Sequence, residues 1–216
     1  ELSITATGQA IGALYITLPY GIGESLRQPL SVISEKNKAQ VLTRWIGSII
    51  QGFDAFDYEF SPPSDNPAQP VSLVIKIASR SLLQVAEGKV MLPRFFDNFV
   101  ASEMIGTPSL SEYIKLSDRT VPLLFRGLKE DMTVVLKFKS KLGLPSRSPK
   151  SWTRKSKWGK FEQSFEWDQK TNTATLRRVV DMPHTRISTS DYIEFLDLIH
   201  ELRLRIRDQL VIDAVL

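Results

Sequence analysis

The sequence predicts an α+β protein that consists mainly of antiparallel β-sheet, sandwich-like, with one internal helix and one C-terminal helix. Apolar and polar side chains alternate along residues 161–167, which is typical of a half-buried strand. A polar, turn-prone stretch separates this strand from a return strand at 173–180, so residues 160–180 predict a β-hairpin. Residues 188–208 space their apolar side chains three and four positions apart, and they predict the closing helix.

The start of the closing helix has its own signals. Ser188 is predicted as the N-cap, because its hydroxyl can accept a backbone N–H, and Asp191 lies three residues later, as in a capping box. Ile187 and Tyr192 are placed as a hydrophobic staple. The predicted buried stripe consists of Tyr192, Phe195, Leu196, Ile199, Leu202 and Ile206.

The remaining elements are predicted from the same two periodicities. Residues 34–50 predict the internal helix, with a buried stripe of Val41, Leu42, Trp45, Ile46, Ile49 and Ile50. The glycines at 21 and 23 predict a turn. Strands are expected at 2–7, 12–19, 53–60, 71–78, 90–96, 121–125 and 133–138, with a hairpin connection at 127–131 and a basic loop at 144–158. The small, polar residues 101–111 predict a boundary between two subdomains, 1–110 and 111–216.

Composition narrows the possible chemistry. The chain has 216 residues, enough for a core without disulfide bonds, and it has no cysteine. Thiolate metal sites and cysteine nucleophiles are therefore excluded, and only two histidines, His184 and His200, remain for acid–base or metal chemistry. No apolar run reaches the roughly 18–20 residues that span a bilayer, and no signal segment opens the chain. We expect no catalytic residue, cofactor or metal.

Positive charge is concentrated in one segment. The net charge is +4, and residues 137–160 contain nine Lys or Arg and no Asp or Glu. Cations interleaved with aromatic rings suit a single-stranded nucleic acid, and they also suit an acidic glycan or an anionic membrane surface. The alternative is that the lysines wet a strand face and the tryptophans lie in the core. The candidate binding residues are Lys139, Lys141, Arg147, Trp152, Arg154, Lys155 and Trp158.

Carboxylates offer a further candidate chemistry, because two facing carboxyl groups can act as acid and base. Glu162 and Glu166 share one face of the predicted strand, and Asp54, Asp57 and Glu59 form a second cluster. Both sets fit the wetted faces of strands better than a catalytic cleft. An enzyme would need two of them to line a common cleft.

Several features in chain order carry a family resemblance. They are residues 21–27 leading into a helix, the proline-led strand at 70–78, the Arg-Thr-Val-Pro-Leu-Leu run at 119–124 followed by 133–136 and Leu144-Pro145, and the closing hairpin with Ser190-Asp191-Tyr192 before the helix. In this order they resemble the C-terminal region of bacterial transglutaminase-like proteins, over most of the chain. In that family a β-rich domain precedes the transglutaminase-like core, and a β-rich tail with a helix follows it.

The resemblance implies a non-catalytic accessory or interaction region. The family's catalytic Cys, His and Asp lie in the core, so no catalytic residue is carried over to this cysteine-free chain. The implied location is the bacterial cell envelope, periplasmic or secreted. The implied partners are the catalytic core of the same polypeptide and a further protein or polysaccharide, with nucleic acid less favoured. Because the first residue is Glu1 and not Met, we also expect a fragment or processed product of a longer protein.

Overall fold

The structure, a computed structural model, describes residues 1–18, 20–49, 52–62, 66, 68–92, 113, 115–206 and 209–213. Its helices are α1 (Tyr20–Val32), α2 (Glu35–Ile49) and α3 (Tyr192–Arg205). Its strands are β1 (Leu2–Ile4), β2 (Ala10–Leu18), β3 (Asp54–Phe60), β4 (Val71–Ser79), β5 (Gln84–Ala86), β6 (Lys89–Met91), β7 (Leu123–Phe125), β8 (Leu128–Phe138), β9 (Pro145–Arg147), β10 (Trp152–Ser156), β11 (Gly159–Asp168), β12 (Thr173–Met182), β13 (Thr185–Ile187) and β14 (Val211–Asp213).

The strands form one large sheet and two smaller ones. The large sheet has eight strands in the order β10-β11-β12-β8-β1-β2-β4-β3. A four-stranded sheet has the order β5-β6-β14-β9, and β7 pairs with β13. Among the described strands every pair is antiparallel except β1 with β8. The predicted class, α+β with mainly antiparallel sheets, is confirmed.

One face of the large sheet, here called the inner face, carries the core. The larger cluster of buried side chains joins this face to α2 and to the four-stranded sheet, with Ile4, Ile46, Ile75, Leu136 and Ile212 among its members. A second cluster packs α3 and the β7–β13 pair on the end of the sheet that β10, β11 and β12 form. The opposite face, here called the outer face, carries the exposed side chains of the same strands. The arrangement is sandwich-like where the four-stranded sheet covers the large one.

Strands from both predicted subdomains share these sheets. β1 pairs with β2 on one side and with β8 on the other, and β6 from the first half pairs with β14 near the C-terminus. The predicted boundary at 101–111 lies outside the described residues, so the division at that point stays a prediction. The two halves that it separates have a common sheet and a common core.

The predicted hairpin is confirmed, with its turn in the polar stretch between the two strands. β11 and β12 pair from Lys160 opposite Asp181 to Asp168 opposite Thr173. The Asp168 carboxylate accepts the backbone N–H of Lys170 at 2.8 Å and the Thr171 hydroxyl at 2.8 Å, which closes the turn. Asn172 has a positive φ of 55°, a conformation that asparagine tolerates better than most residues.

The structure has two internal helices where the sequence predicted one. Residues 20–32 form α1, although glycines at 21 and 23 predicted a turn there. A Cβ on Gly23 would lie 2.2 Å from the Cβ of Val71, so the missing side chain lets α1 approach β4 closely. This packing outweighs the low helix propensity of glycine, about 1 kcal/mol per residue.

The predicted loop at 127–131 was also wrong, because β8 begins at Leu128 and β7 pairs with β13. Residues 129–131 are all charged, as is common in loops. Their side chains nevertheless alternate between the two faces of the sheet, and they have charged partners on β12. Asp131 meets Arg177 on the outer face at 2.9 Å, and Glu130 meets Arg178 on the inner face at 2.6 Å. β9 and β10 likewise lie within the predicted loop at 144–158.

The closing helix begins four residues later than its predicted N-cap. The Ser188 hydroxyl accepts the Asp191 backbone N–H at 3.1 Å and donates to the Asp191 carboxylate at 2.8 Å, so the two residues close a turn. The helix then starts at Tyr192, which is buried together with Ile187 as the predicted staple requires. Of the predicted stripe Leu196 is only half-buried, and Leu198 is buried in addition.

The ion pair between Glu130 and Arg178 yields the first prediction. Arg178 is 0% exposed, and burial lowers the pKa of its guanidinium while Glu130 opposes that effect. Arg178→Met should lower the free energy of unfolding by about 3–5 kcal/mol, because it leaves the Glu130 carboxylate buried and unpaired by this arginine. Adding Glu130→Leu should restore much of that loss, as urea unfolding would measure.

The matched control is Arg177→Met, which breaks the neighbouring pair with Asp131 on the exposed outer face. We expect a much smaller effect there, because water screens and solvates both charges. Equal destabilisation by the Arg177 and Arg178 variants would contradict the assigned role of the buried pair.

Candidate functional site

The basic segment does not form one continuous surface. Lys139 and Lys141 follow the end of β8, beside the β11–β12 turn, where the Asn172 side chain donates to the Ser140 carbonyl. Lys155 lies opposite Lys160 at the other end of the hairpin. The two ends are about eight residues apart along β12, or roughly 26 Å. Arg147 lies on β9, in the four-stranded sheet.

The two tryptophans of the segment are packing residues. Trp158 is 5% exposed and meets the Phe195 ring of α3 edge-on, with ring centroids 5.5 Å apart. Trp152 is half-buried, stacks on Phe161 at 4.3 Å between centroids, and has the Arg205 guanidinium 5.5 Å from its ring centre. Neither ring is available as an open platform for a nucleobase. The alternative that placed them in the core is therefore the better description.

Besides Lys137, which pairs with Glu1, three basic side chains of the β10–β11 hairpin form ion pairs. Lys157 contacts the carboxylates of Asp191 at 2.6 Å and Glu194 at 2.9 Å, both next to the start of α3. Arg154 contacts Glu201 of the same helix at 3.3 Å, and Lys160 contacts Glu162 at 2.6 Å. The pairs of Lys157 and Arg154 therefore join the β10–β11 hairpin to α3, whereas the Lys160 pair lies within β11. The carboxylates partly neutralise these positive charges. In the case of Lys157, they lie 34 or more positions away in the sequence.

The two predicted carboxylate sets have different surroundings, because Asp57 and Glu59 line a groove beside α2 and Glu162 and Glu166 do not line that groove. Glu162 and Glu166 project from the outer face of β11, and Glu162 is engaged by Lys160. Asp57 of β3 binds Lys76 at 2.6 Å. The two histidines, His184 and His200, are exposed. Across the residues that the structure describes, no three His, Asp or Glu side chains are grouped as a metal site.

A groove between α2 and the edge strand β3 was not predicted from the sequence. It has a volume of about 410 Å³ and is lined by Glu35 and Leu42 of α2 and by residues 55–60 of β3. Part of the adjoining strand edge is already capped. The Thr43 hydroxyl accepts the Ala55 N–H at 2.9 Å, and Asp57 accepts the Tyr58 N–H at 2.9 Å. Such capping protects an edge strand from pairing with another chain.

The outer face carries an apolar patch that the sequence patterns do not predict. Tyr15 is 74% exposed and Ile11 is 54% exposed, both on β2 near the middle of the sheet. The register places Tyr15 opposite Val74 and Ile11 opposite Ala78 on β4. We call Ile11, Ala13, Tyr15, Val74 and Ala78 the outer-face patch. The sequence predicts this strand, but apolar side chains occur at both alternating sets of positions within 12–19. The sequence therefore does not show which of the two sets faces the core.

The charges around the outer-face patch are paired. Lys76, opposite Ala13, binds Asp57, and Lys137 binds the Glu1 carboxylate at 2.6 Å. The lysine hydrogen bonds hold the pKa of Asp57 and the pKa of Glu1 below their ordinary values. An apolar centre with an aromatic ring and a polar, charge-balanced rim resembles a protein–protein interface. It lacks the excess of cations that a nucleic acid requires.

The contact between Lys157 and Asp191 yields a prediction about acid stability. Hydrogen bonds from Lys157 and Ser188 hold the pKa of Asp191 below its ordinary value in the folded protein. The stabilisation is therefore present above the unfolded value, about 4, and is lost as the pH falls through the folded value. Asp191→Asn should lower the urea midpoint at pH 7, and the difference from the unsubstituted chain should vanish toward pH 2.

Asp197→Asn is the control for this experiment. Asp197 is exposed on the same helix and makes no ion pair with another described residue. Its substitution should leave the urea midpoint nearly unchanged at both pH values. A difference for Asp191→Asn that persisted undiminished at pH 2 would contradict the assigned role of its carboxylate.

Comparison of the chain with models of protein families, with curated protein sequences and with solved structures found no match. Within the described ranges no helix is both long and apolar enough to cross a bilayer. The geometry of the outer face and of the strand edges is therefore the main source for a functional proposal.

Proposed function

We propose that this chain is a non-catalytic accessory and interaction region of a larger transglutaminase-like protein of the bacterial cell envelope. Its partner is the catalytic core of the same polypeptide, which docks on the outer-face patch. The transglutaminase-like parent and the envelope location rest on the resemblance of residues 21–27, 70–78 and 119–136 and of the closing hairpin and helix. The role as an interaction region rests on the outer face of the sheet.

The exposed Tyr15 and Ile11 on β2 are the observation that carries this proposal. On a sheet with one covered face, the other face is ordinarily wetted by polar side chains. Contiguous apolar groups on such a face, rimmed by polar ones, mark a surface for a protein partner. Tyrosine is among the residues that contribute most binding energy when an interface buries them.

The core of the same polypeptide is the occupant that fits this location. Glu1 pairs with Ala13 within the outer-face patch, the Glu1 ammonium donating to the Ala13 carbonyl at 2.9 Å. In the proposed larger protein, the polypeptide that leads from the core therefore reaches the sheet beside Tyr15 and Ile11. A tethered partner binds at a high effective concentration, so a patch of modest size is sufficient.

Binding of an anionic polymer, the alternative, has weaker support. Trp158 and Trp152 pack in or against the core, and Arg154 and Lys157 pair with α3. Of the candidates outside these contacts, Lys139 and Lys141 lie near the β11–β12 turn, Lys155 lies at the other end of the hairpin, and Arg147 lies on β9. Separate cations give little of the phosphate neutralisation on which polymer affinity depends.

The proposal predicts that Tyr15→Ser weakens the association of this chain with the separately produced catalytic core. The expected loss of affinity is about tenfold or more, because truncating a central interface tyrosine commonly costs that much. Isothermal titration calorimetry measures it, and Ile11→Ser should weaken binding in the same direction. Both side chains are mostly exposed, so the variants should keep their fold.

Leu204→Ser is the matched control, because Leu204 is an equally exposed leucine on α3, away from the outer face. It should bind the core with unchanged affinity. Equal binding by the Tyr15 and Leu204 variants would contradict the docking surface. Transferase or hydrolase turnover by the 216-residue chain alone, abolished by one polar substitution, would contradict the non-catalytic role.

A further inference from the structure

The large sheet has a slot between β2 and β8. β1 lies between these two strands, but it pairs only with residues 10–12 of β2 and with residues 136–138 of β8. Beyond that point β2 continues to Leu18, and β8 extends back to Leu128. Among the described strands, none lies between these two continuations. Since each neighbouring strand pair is about 4.8 Å apart, the slot is about 10 Å wide, the room for one strand.

The backbone groups along both walls point into the slot. Ala13 exchanges hydrogen bonds with Glu1, so alternation turns the N–H and C=O of Tyr15 and Thr17 the same way. On β8, Lys139 donates to Ile4 while Phe138 donates to Asn172, which turns the Thr133 backbone groups and the Val135 N–H toward the slot. No described strand pairs with these groups. Among the described residues they form two facing strand edges without a partner strand.

The apolar side chains beside the slot are also incompletely covered. Leu14 and Ile16 of β2 and Met132 and Val134 of β8 project from the inner face, yet all four are only half-buried. Their neighbours on the far side of β2, such as Ile75 of β4, are fully buried on that face. A strand in the slot would cover the four side chains and extend the core.

We propose that the slot binds an extended strand of the same polypeptide, the segment that leads from the catalytic core into Glu1 and continues β1. The inference rests on the proposed function, which supplies that segment. The strand runs antiparallel to β2 and parallel to β8, and it covers about five residues opposite 14–18.

The registers of β1 also specify the pattern of this strand. Leu2 is opposite both Gly12 and Leu136, so a residue two positions further up the strand meets Leu14 and Val134. A residue four positions up meets Ile16 and Met132 on the inner face. These two positions require apolar side chains, and the residues between them face the outer side beside Tyr15. Strand addition of this kind obtains affinity from the backbone and specificity from alternate side chains.

A strand from a second copy fits less well. Each described strand of this chain already pairs with a neighbour, whereas a strand in the slot needs both edges free. The exposed edge strand β10 would place Arg154 at an inward position, because Arg154 lies opposite the buried Phe161. The segment leading into Glu1 needs no such rearrangement, since it prolongs pairs that β1 already makes.

The experiment compares residue-resolved hydrogen exchange in the 216-residue chain and in the natural full-length polypeptide. The amides of Tyr15, Thr17, Thr133 and Val135 should exchange at least about tenfold more slowly in the full-length protein. The carbonyl groups of the added strand then accept hydrogen bonds from these amides. The amides of Ile16 and Val134 are internal controls, since alternation turns them toward β4 and β12. They should be protected in both proteins.

Side-chain access provides a second measurement. The chain has no cysteine, so Val134→Cys and Ser164→Cys each introduce a single thiol. The thiol at 134 should react with a soluble maleimide more slowly in the full-length protein, by about tenfold or more. The thiol at 164 lies on the outer face of β11 and should react equally in both.

Equal exchange of the four slot amides in both proteins, whether fast or slow, would overturn the proposal. Protection that appears in the 216-residue chain only at high protein concentration would assign the slot to a second copy. Protection of the full-length protein only after a partner protein is added would assign the slot to that partner, and both of these outcomes also overturn it. Core binding by the Tyr15 and Leu204 variants is measured separately, so the slot and the proposed function fail independently.

Discussion

The three-residue strand β1 is the contact on which the architecture depends. It joins β2, β4 and β3 from the first half of the chain to β8, β12, β11 and β10 from the second. It does so with one antiparallel and one parallel ladder. Its side chains Leu2 and Ile4 are buried in the larger core cluster. Without this strand, the eight-stranded sheet would be a three-stranded sheet and a four-stranded sheet.

The second half of the sheet has an internal division of its own. Gln163, Arg178 and Glu130 lie on neighbouring strands of the inner face and are all buried. On one side of this polar row the side chains belong to the larger core cluster, and on the other they belong to the cluster under α3. Gln163 donates to the Lys150 carbonyl at 3.1 Å, which connects the row to the loop before β10. The row specifies one register, because a slip would bury the ion pair against apolar side chains.

The packing of the helices and of the four-stranded sheet explains what the outer face and the slot have in common. The described helices and the four-stranded sheet all pack on the inner face, so no described element covers the outer face of the large sheet. The outer-face patch and the slot are next to each other, since Tyr15 belongs to the first and its backbone groups line the second. A single polypeptide that arrives there can both extend the sheet and cover its open face.

Local patterns predicted those elements whose signals lie within a few residues. The β11–β12 hairpin, α2 and the apolar stripe of α3 follow from alternation and helical spacing alone. The start of β8 was missed because its charges find partners 46 and 48 positions away, at Arg177 and Arg178. α1 was not predicted, because the reason for Gly23 in this helix is its close approach to Val71, which the local sequence does not show.

The candidate site was harder to predict than the fold. The charge run at 137–160 is a property of the sequence, but whether its members meet depends on the register of four strands. The sequence allows Trp158 and Trp152 to be surface or core residues, and only the positions of Phe195 and Phe161 decide between the two. The slot is invisible in the sequence, since it is a gap between strands more than 100 positions apart.

The most direct test of the role of β1 is the unfolding of Gly12→Ala in urea, followed by both circular dichroism and tryptophan fluorescence. A Cβ on Gly12 would lie 2.0 Å from the Glu1 carbonyl oxygen, so this substitution must displace β1. We expect the two probes, coincident for the unsubstituted chain, to separate as the halves uncouple. Gly47→Ala, where nothing lies within 4 Å of the new Cβ, should keep them coincident. Coincident curves with an unchanged midpoint for Gly12→Ala would contradict the account.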